Sequence, residues 1–124
     1  MARPPESTAR QAFTLCNFHG LFIYAIGGLI QQPGEVIDSQ GNRGKEETLF
    51  LTNVDRYDIR ENKWSPAPPL REARYNLSSC TLGGMIYAIC GISQTNGHLN
   101  TIERLKVSFQ RQASSKRKWQ TIRF

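Results

Sequence analysis

The chain states one pattern twice. Ile23-Tyr24-Ala25-Ile26-Gly27-Gly28 returns as Ile86-Tyr87-Ala88-Ile89-Cys90-Gly91, Leu51-Thr52-Asn53-Val54-Asp55-Arg56-Tyr57 returns as Leu99-Asn100-Thr101-Ile102-Glu103-Arg104-Leu105, and Lys63-Trp64 returns as Lys118-Trp119. A repeat that keeps the order of its parts is one supersecondary unit copied along the chain, so the architecture is constrained before any single residue is considered. The three pairs are offset by 63, 48 and 55 residues. Unequal offsets mean that the strands hold their order while the loops between them change length. The first unit carries its insertion between the double glycine and Leu51; the second carries a longer stretch before Trp119.

Each unit reads as four strands. In the first they are Phe13 to Phe18, Leu21 to Ile26, Asn53 to Ile59, and Lys63 to Pro66, the last stopped by Pro66, Pro68 and Pro69. In the second they are Leu77 to Leu82, Met85 to Ile89, Asn100 to Val107, and Trp119 to Ile122. His19-Gly20 and Gly83-Gly84 supply tight turns. No segment has a helical period, and short strands joined by tight turns point to antiparallel sheets. Apolar residues fall on both faces of these strands, as expected of sheets packed between neighbouring sheets.

At 124 residues the chain suits one small domain or part of one. Its net charge of +6 favours acidic partners without choosing among them. The start is polar and lacks the apolar core of a secretory signal, so residues 1–9 are expected to be a disordered tail. The longest apolar run, Leu21 to Ile30, holds two glycines and is too short to span a bilayer. The three cysteines sit within apolar runs, which suggests reduced core thiols in a cytoplasmic or nuclear protein.

These residues resemble the Kelch repeat of β-propellers: an apolar strand, Ile-Tyr-x-Ile-Gly-Gly, a variable loop, x-Val-x-x-Tyr-Asp, and a tryptophan. Tyr24, Gly27, Gly28, Tyr57, Asp58 and Trp64 match in the first unit, and Tyr87, Gly91 and Trp119 in the second. Cys90 replaces the first glycine of the second unit, and Leu105-Lys106 replaces Tyr-Asp. The resemblance covers nearly all of the chain from Arg10 to Phe124. It implies an all-β fold of two four-stranded antiparallel Kelch blades, with units at 10–70 and 71–124, forming an incomplete β-propeller. Glycine after a strand permits positive φ and close backbone approach, and the second glycine is the stricter position because both units keep it. The two tryptophans are expected to be apolar wedges that fix the outer strand. Arg56 and Arg104, at matching sites, read as structural arginines rather than ligand contacts.

Two blades do not close a ring of about 4–8. Each should therefore show one face without a neighbour, and the chain would belong to a longer propeller, assemble with copies of itself, or lean on another Kelch protein.

Strand order places the loop from Leu29 to Phe50, the turn from Ile92 to His98 and the connection from Pro69 to Tyr75 at one end. Kelch propellers usually bind proteins with such loops, so the resemblance puts a partner here. Arg71, Arg74, Tyr75 and Asn76, with Arg43 and Lys45 of the insertion, are the candidate contacts, because arginine forks suit the carboxylates of an acidic peptide. Arg74 equally suits capping the strand start. At the other end Arg111, Lys116, Arg117 and Lys118 beside Trp119 form a basic cluster, read as a solvated loop rather than a nucleic-acid site.

Chemistry finds little footing. Gly41-Asn42-Arg43-Gly44-Lys45-Glu46 lacks the spacing, the hydroxyl residue and the helix of a phosphate loop. Cys16 and His19 have no second pair for zinc, and Cys16 and Cys80 read as small core residues. No catalytic, metal or cofactor site is expected. The leading reading is a non-enzymatic protein-interaction module. By resemblance this extends to a substrate-receptor part in a cullin ubiquitin ligase, whose BTB and BACK domains would come from other sequence or another chain. The alternative is a cytoskeletal scaffold component that completes a propeller by self- or hetero-association.

Overall fold

The computed structural model describes residues 10–32, 39–41, 47–107 and 117–123. Thirteen strands are assigned among them and no helix: β1 (Arg10–Gln11), β2 (Thr14–Phe18), β3 (Phe22–Ile26), β4 (Leu29–Gln32), β5 (Glu47–Phe50), β6 (Val54–Asp58), β7 (Lys63–Ala67), β8 (Ser78–Leu82), β9 (Met85–Ile89), β10 (Ile92–Ser93), β11 (Gly97–His98), β12 (Thr101–Lys106) and β13 (Gln120–Arg123). The first unit forms a four-stranded antiparallel sheet in the order β2-β3-β6-β7, and the second repeats it as β8-β9-β12-β13. All eight strands expected from the sequence are present, each end within one residue of its expected place. The chain is an incomplete β-propeller of two Kelch-like blades.

Residues directly opposite in antiparallel strands share a face. In the first blade Thr14, Cys16 and Phe18 pair with Ile26, Tyr24 and Phe22, which pair in turn with Val54, Arg56 and Asp58. This face lies against the second blade. The hydroxyls of Thr14 and Ser79 hydrogen bond at 2.9 Å. The Thr81 hydroxyl donates to the carbonyl of Asn17 at 2.8 Å and meets Cys16 Sγ at 2.8 Å. Behind this polar ladder Phe18, Phe22, Tyr24, Ile26 and Val54 pack with Ile86, Ala88, Leu105 and Trp119 in one core. Burying these side chains supplies most of the attraction between the blades, at roughly 25 cal/mol per Å² of apolar surface.

Trp119 is the wedge expected of it. It is buried, and its indole N–H donates to the carbonyl of Pro68 at 2.7 Å, so the outer strand of the second blade is fastened to the chain leaving the first. Trp64, its counterpart, is half-buried and lies tilted on Tyr57 at 5.2 Å.

The insertion and Cys80 differ from expectation. The insertion is not a loop throughout. Leu29–Gln32 and Glu47–Phe50 are strands that pair with each other, and β1 joins β4 to make a small three-stranded sheet. Cys80 is exposed rather than core, because it lies on the side of β8 that points away from the first blade. Arg56 is buried, with its guanidinium 4.3 Å over the Phe22 ring and beside Tyr24, as suits a structural arginine. Arg104, its counterpart, is half-exposed. Burial pushes the Tyr24 phenol up from its ordinary pKa, with Arg56 opposing the shift in part. The N-terminal tail expected over residues 1–9 lies outside the described residues.

Both glycine positions after the second strand are crowded. A Cβ at Gly28 would stand 2.5 Å from the carbonyl oxygen of Gln11, and one at Gly91 would stand 2.7 Å from that of Tyr75. Their φ values of 97° and 92° are ones that side chains resist.

Candidate functional site

The insertion, the β10–β11 hairpin and the connection between blades do gather at one end. The backbone of Tyr75 exchanges two hydrogen bonds with Ile92 at 3.0 and 2.8 Å. Asn76 N–H donates to Ala12 O at 2.9 Å, and Gly28 N–H donates to Arg74 O at 2.8 Å, which ties the connection to the first blade. The Phe50 ring of β5 meets the Tyr75 ring at 5.3 Å, and Asn96 donates to the Glu72 carboxylate at 2.6 Å. Three separate loop segments are thus held as one surface by backbone bonds and ring contact.

Of the residues singled out at this end, Arg71 and Asn76 are exposed and Tyr75 is half-buried. Arg74 is different. It is fully buried, and its guanidinium donates to the carbonyls of Cys90 and Thr101, to the Thr101 hydroxyl and to Glu103, the last at 2.9 Å. An acidic peptide therefore does not reach it; of its two readings, the geometry assigns it to holding the strand start. Arg43 and Lys45 lie outside the described residues.

The role of Arg74 is repeated in the first blade by Arg10, which sequence reasoning missed. Arg10 donates to the carbonyls of Gly27, Ala25 and Asn53 and pairs with Asp55 at 2.8 Å. Arg10 and Arg74 each stand four residues before the first strand of a unit, and Asp55 and Glu103 stand at matching sites on the third strand. Each blade is thus clipped at its loop end by one buried arginine–carboxylate pair. Glu103 does more: its two oxygens also accept the backbone N–H groups of Arg71 and Glu72, at 2.6 and 3.2 Å. A carboxylate with this many donors is satisfied although fully buried. It fixes the backbone of Arg71.

Leu49 and Phe50 were also missed as site residues. Leu49 is exposed and Phe50 half-buried, so the end surface offers apolar area beside the Arg71 cation and the Asn76 amide. The signal was the apolar pair at each end of the insertion, Leu29-Ile30 and Leu49-Phe50, which is the stem of a hairpin.

Among the described residues, no cluster of three or more His, Cys, Asp or Glu side chains could hold a metal ion. No helix among them is long and apolar enough to cross a membrane.

The sequence is similar to an F-box/kelch-repeat protein of Arabidopsis thaliana, with 36% identity over 74 residues. The match covers 60% of this chain and 19% of that protein, so the chain spans about a fifth of the length of this curated relative. No family model matches. The likeness points to a Kelch-like repeat, in agreement with the blades described above.

Proposed function

We propose that this chain is a non-enzymatic recognition module that presents its loop end to a protein partner, as a substrate-receptor part of a ubiquitin ligase in the cytoplasm. The observation that carries the reading is the contact of Phe50 with Tyr75. It joins the insertion of the first blade to the connection that bears Arg71 and Asn76, making one mixed apolar and polar surface from segments far apart in sequence. Aromatic and arginine side chains on such a surface are the residue types that dominate protein interfaces. The F-box/kelch relative favours ubiquitin-ligase context over a scaffold role.

Affinity capture with the purified chain tests this. The variant Leu49→Asp with Arg71→Glu changes exposed residues only and should lose the partners that the unaltered chain retains. Retention of the same partners by this variant contradicts recognition through the loop end. Deleting the whole insertion would be a poor substitute, since it removes β4 and β5 and strips the cover from β1.

A further inference from the structure

The end of the second blade opposite the loop surface carries a cleft of about 200 Å³ lined by Met85, Arg104, Lys106, Arg117, Lys118 and Gln120. Four of the six are cations and none is acidic. No ion pair involves these four among the described residues. Among the described residues the Arg104 guanidinium donates only to the Gln120 side-chain carbonyl, at 3.3 Å.

The cations are a departure from the repeat. Lys106 stands where the first unit has Asp58, and Lys116, Arg117 and Lys118 stand where it has Glu61, Asn62 and Lys63. At the two positions of Lys106 and Arg117 the first blade folds with an acidic and a neutral residue instead. Residues 104–124 hold seven of the sixteen lysines and arginines and none of the ten acidic residues, so the rest of the chain is slightly acidic. Like charges gathered without a counter-charge oppose folding, and an anionic ligand relieves that repulsion.

The cleft opens on the face of the second blade that points away from the first. A third blade seated there in the same way is disfavoured by Cys90. At the matching Gly27, the carbonyl of Arg74 from the following blade leaves only 2.6 Å to a Cβ, whereas Cys90 carries one.

We infer that this cleft is a docking site for an acidic segment of a partner protein, a second site distinct from the loop end and independent of it. The Arg104 fork and three further cations suit carboxylates. Leu82, 70% exposed and directly opposite Met85, gives the cleft an apolar margin for a neighbouring side chain of the segment. A nucleic acid fits less well, because Trp119 is buried with its N–H committed to Pro68, which leaves no free indole for base stacking.

Fluorescence anisotropy with a labelled oligoglutamate peptide at about physiological salt tests the inference. Lys106→Asp with Arg117→Asn installs the residues of the first unit and should weaken binding by about tenfold or more. Arg60→Glu with Lys63→Gln, an equal change of net charge on exposed residues of the first blade, should leave affinity within about twofold. A thermal melt of the cleft variant should hold or rise as repulsion falls. If that variant unfolds instead, Arg104→Gln should show the same loss. Equal weakening by both variants, absence of peptide binding, or tighter binding of an RNA oligonucleotide or a phosphatidylserine vesicle would each overturn the assignment.

Discussion

At the scale of single residues, two arginine–carboxylate pairs and a few backbone positions set the geometry. Glu103 accepts from Arg74 and from two backbone N–H groups while fully buried, so loss of its charge strands a buried guanidinium. Glu103→Gln should lower unfolding free energy by about 3 kcal/mol, read from the midpoint of urea denaturation. Replacing both partners by apolar residues should cost less than the single change. The sequence displayed all four members of these pairs at repeating positions, yet partners stand 45 and 29 residues apart, so spacing alone could not join them. Cys90 was legible only in part. Its tolerance of a side chain could be read from the repeat, but the reason could not: the crowding at Gly27 comes from the next blade, and at Cys90 nothing described occupies that place. Cys90 holds a φ of 55°, which a non-glycine residue resists. Cys90→Gly should raise stability by about 1 kcal/mol, whereas Gly27→Ala should lower it, both measured by thermal melts.

At the scale of elements, alternation and turn chemistry sufficed to place the eight strands of the two sheets. They did not reveal β1, β4 and β5, because a strand of two to four residues is made by its partners rather than by its own preference. Leu29 and Ile30 become a strand when Phe50 and Leu49 return beside them and Arg10 and Gln11 add from the other side. The join between blades was equally hidden. Thr14, Cys16, Ser79 and Thr81 are ordinary small residues whose pairing depends on two inner strands lying side by side. Thr81 serves two partners, Asn17 O and Cys16 Sγ. Thr81→Val keeps the shape and removes both bonds, and should cost about 1–2 kcal/mol in denaturant unfolding. Ser78→Ala, on the opposite side of the same strand and exposed, should change stability by less than about 0.5 kcal/mol.

At the scale of the whole molecule, the outward face of the second blade repeats the covered face of the first. Ser78, Cys80, Leu82, Tyr87 and Arg104 stand for Thr14, Cys16, Phe18, Tyr24 and Arg56, and among the described residues only the latter set has a neighbouring blade. Matching residues therefore carry unequal weight. Phe18 is fully buried and Leu82 is 70% exposed. Phe18→Ala should cost about 3–5 kcal/mol and Leu82→Ala less than about 0.5. The repeat predicted that each blade would have an uncovered side. It could not predict that one such side carries a basic cleft, because charge at Lys106 and Arg117 is free to vary once no packing depends on it. All of this rests on the inner strands of two sheets lying against each other. Nuclear Overhauser contacts between Thr14 or Cys16 and Ser79 or Thr81 in the isotope-labelled chain test it most directly. Strong contacts are expected between these residues, which stand 65 apart in sequence; their absence in a folded sample would contradict the two-blade arrangement.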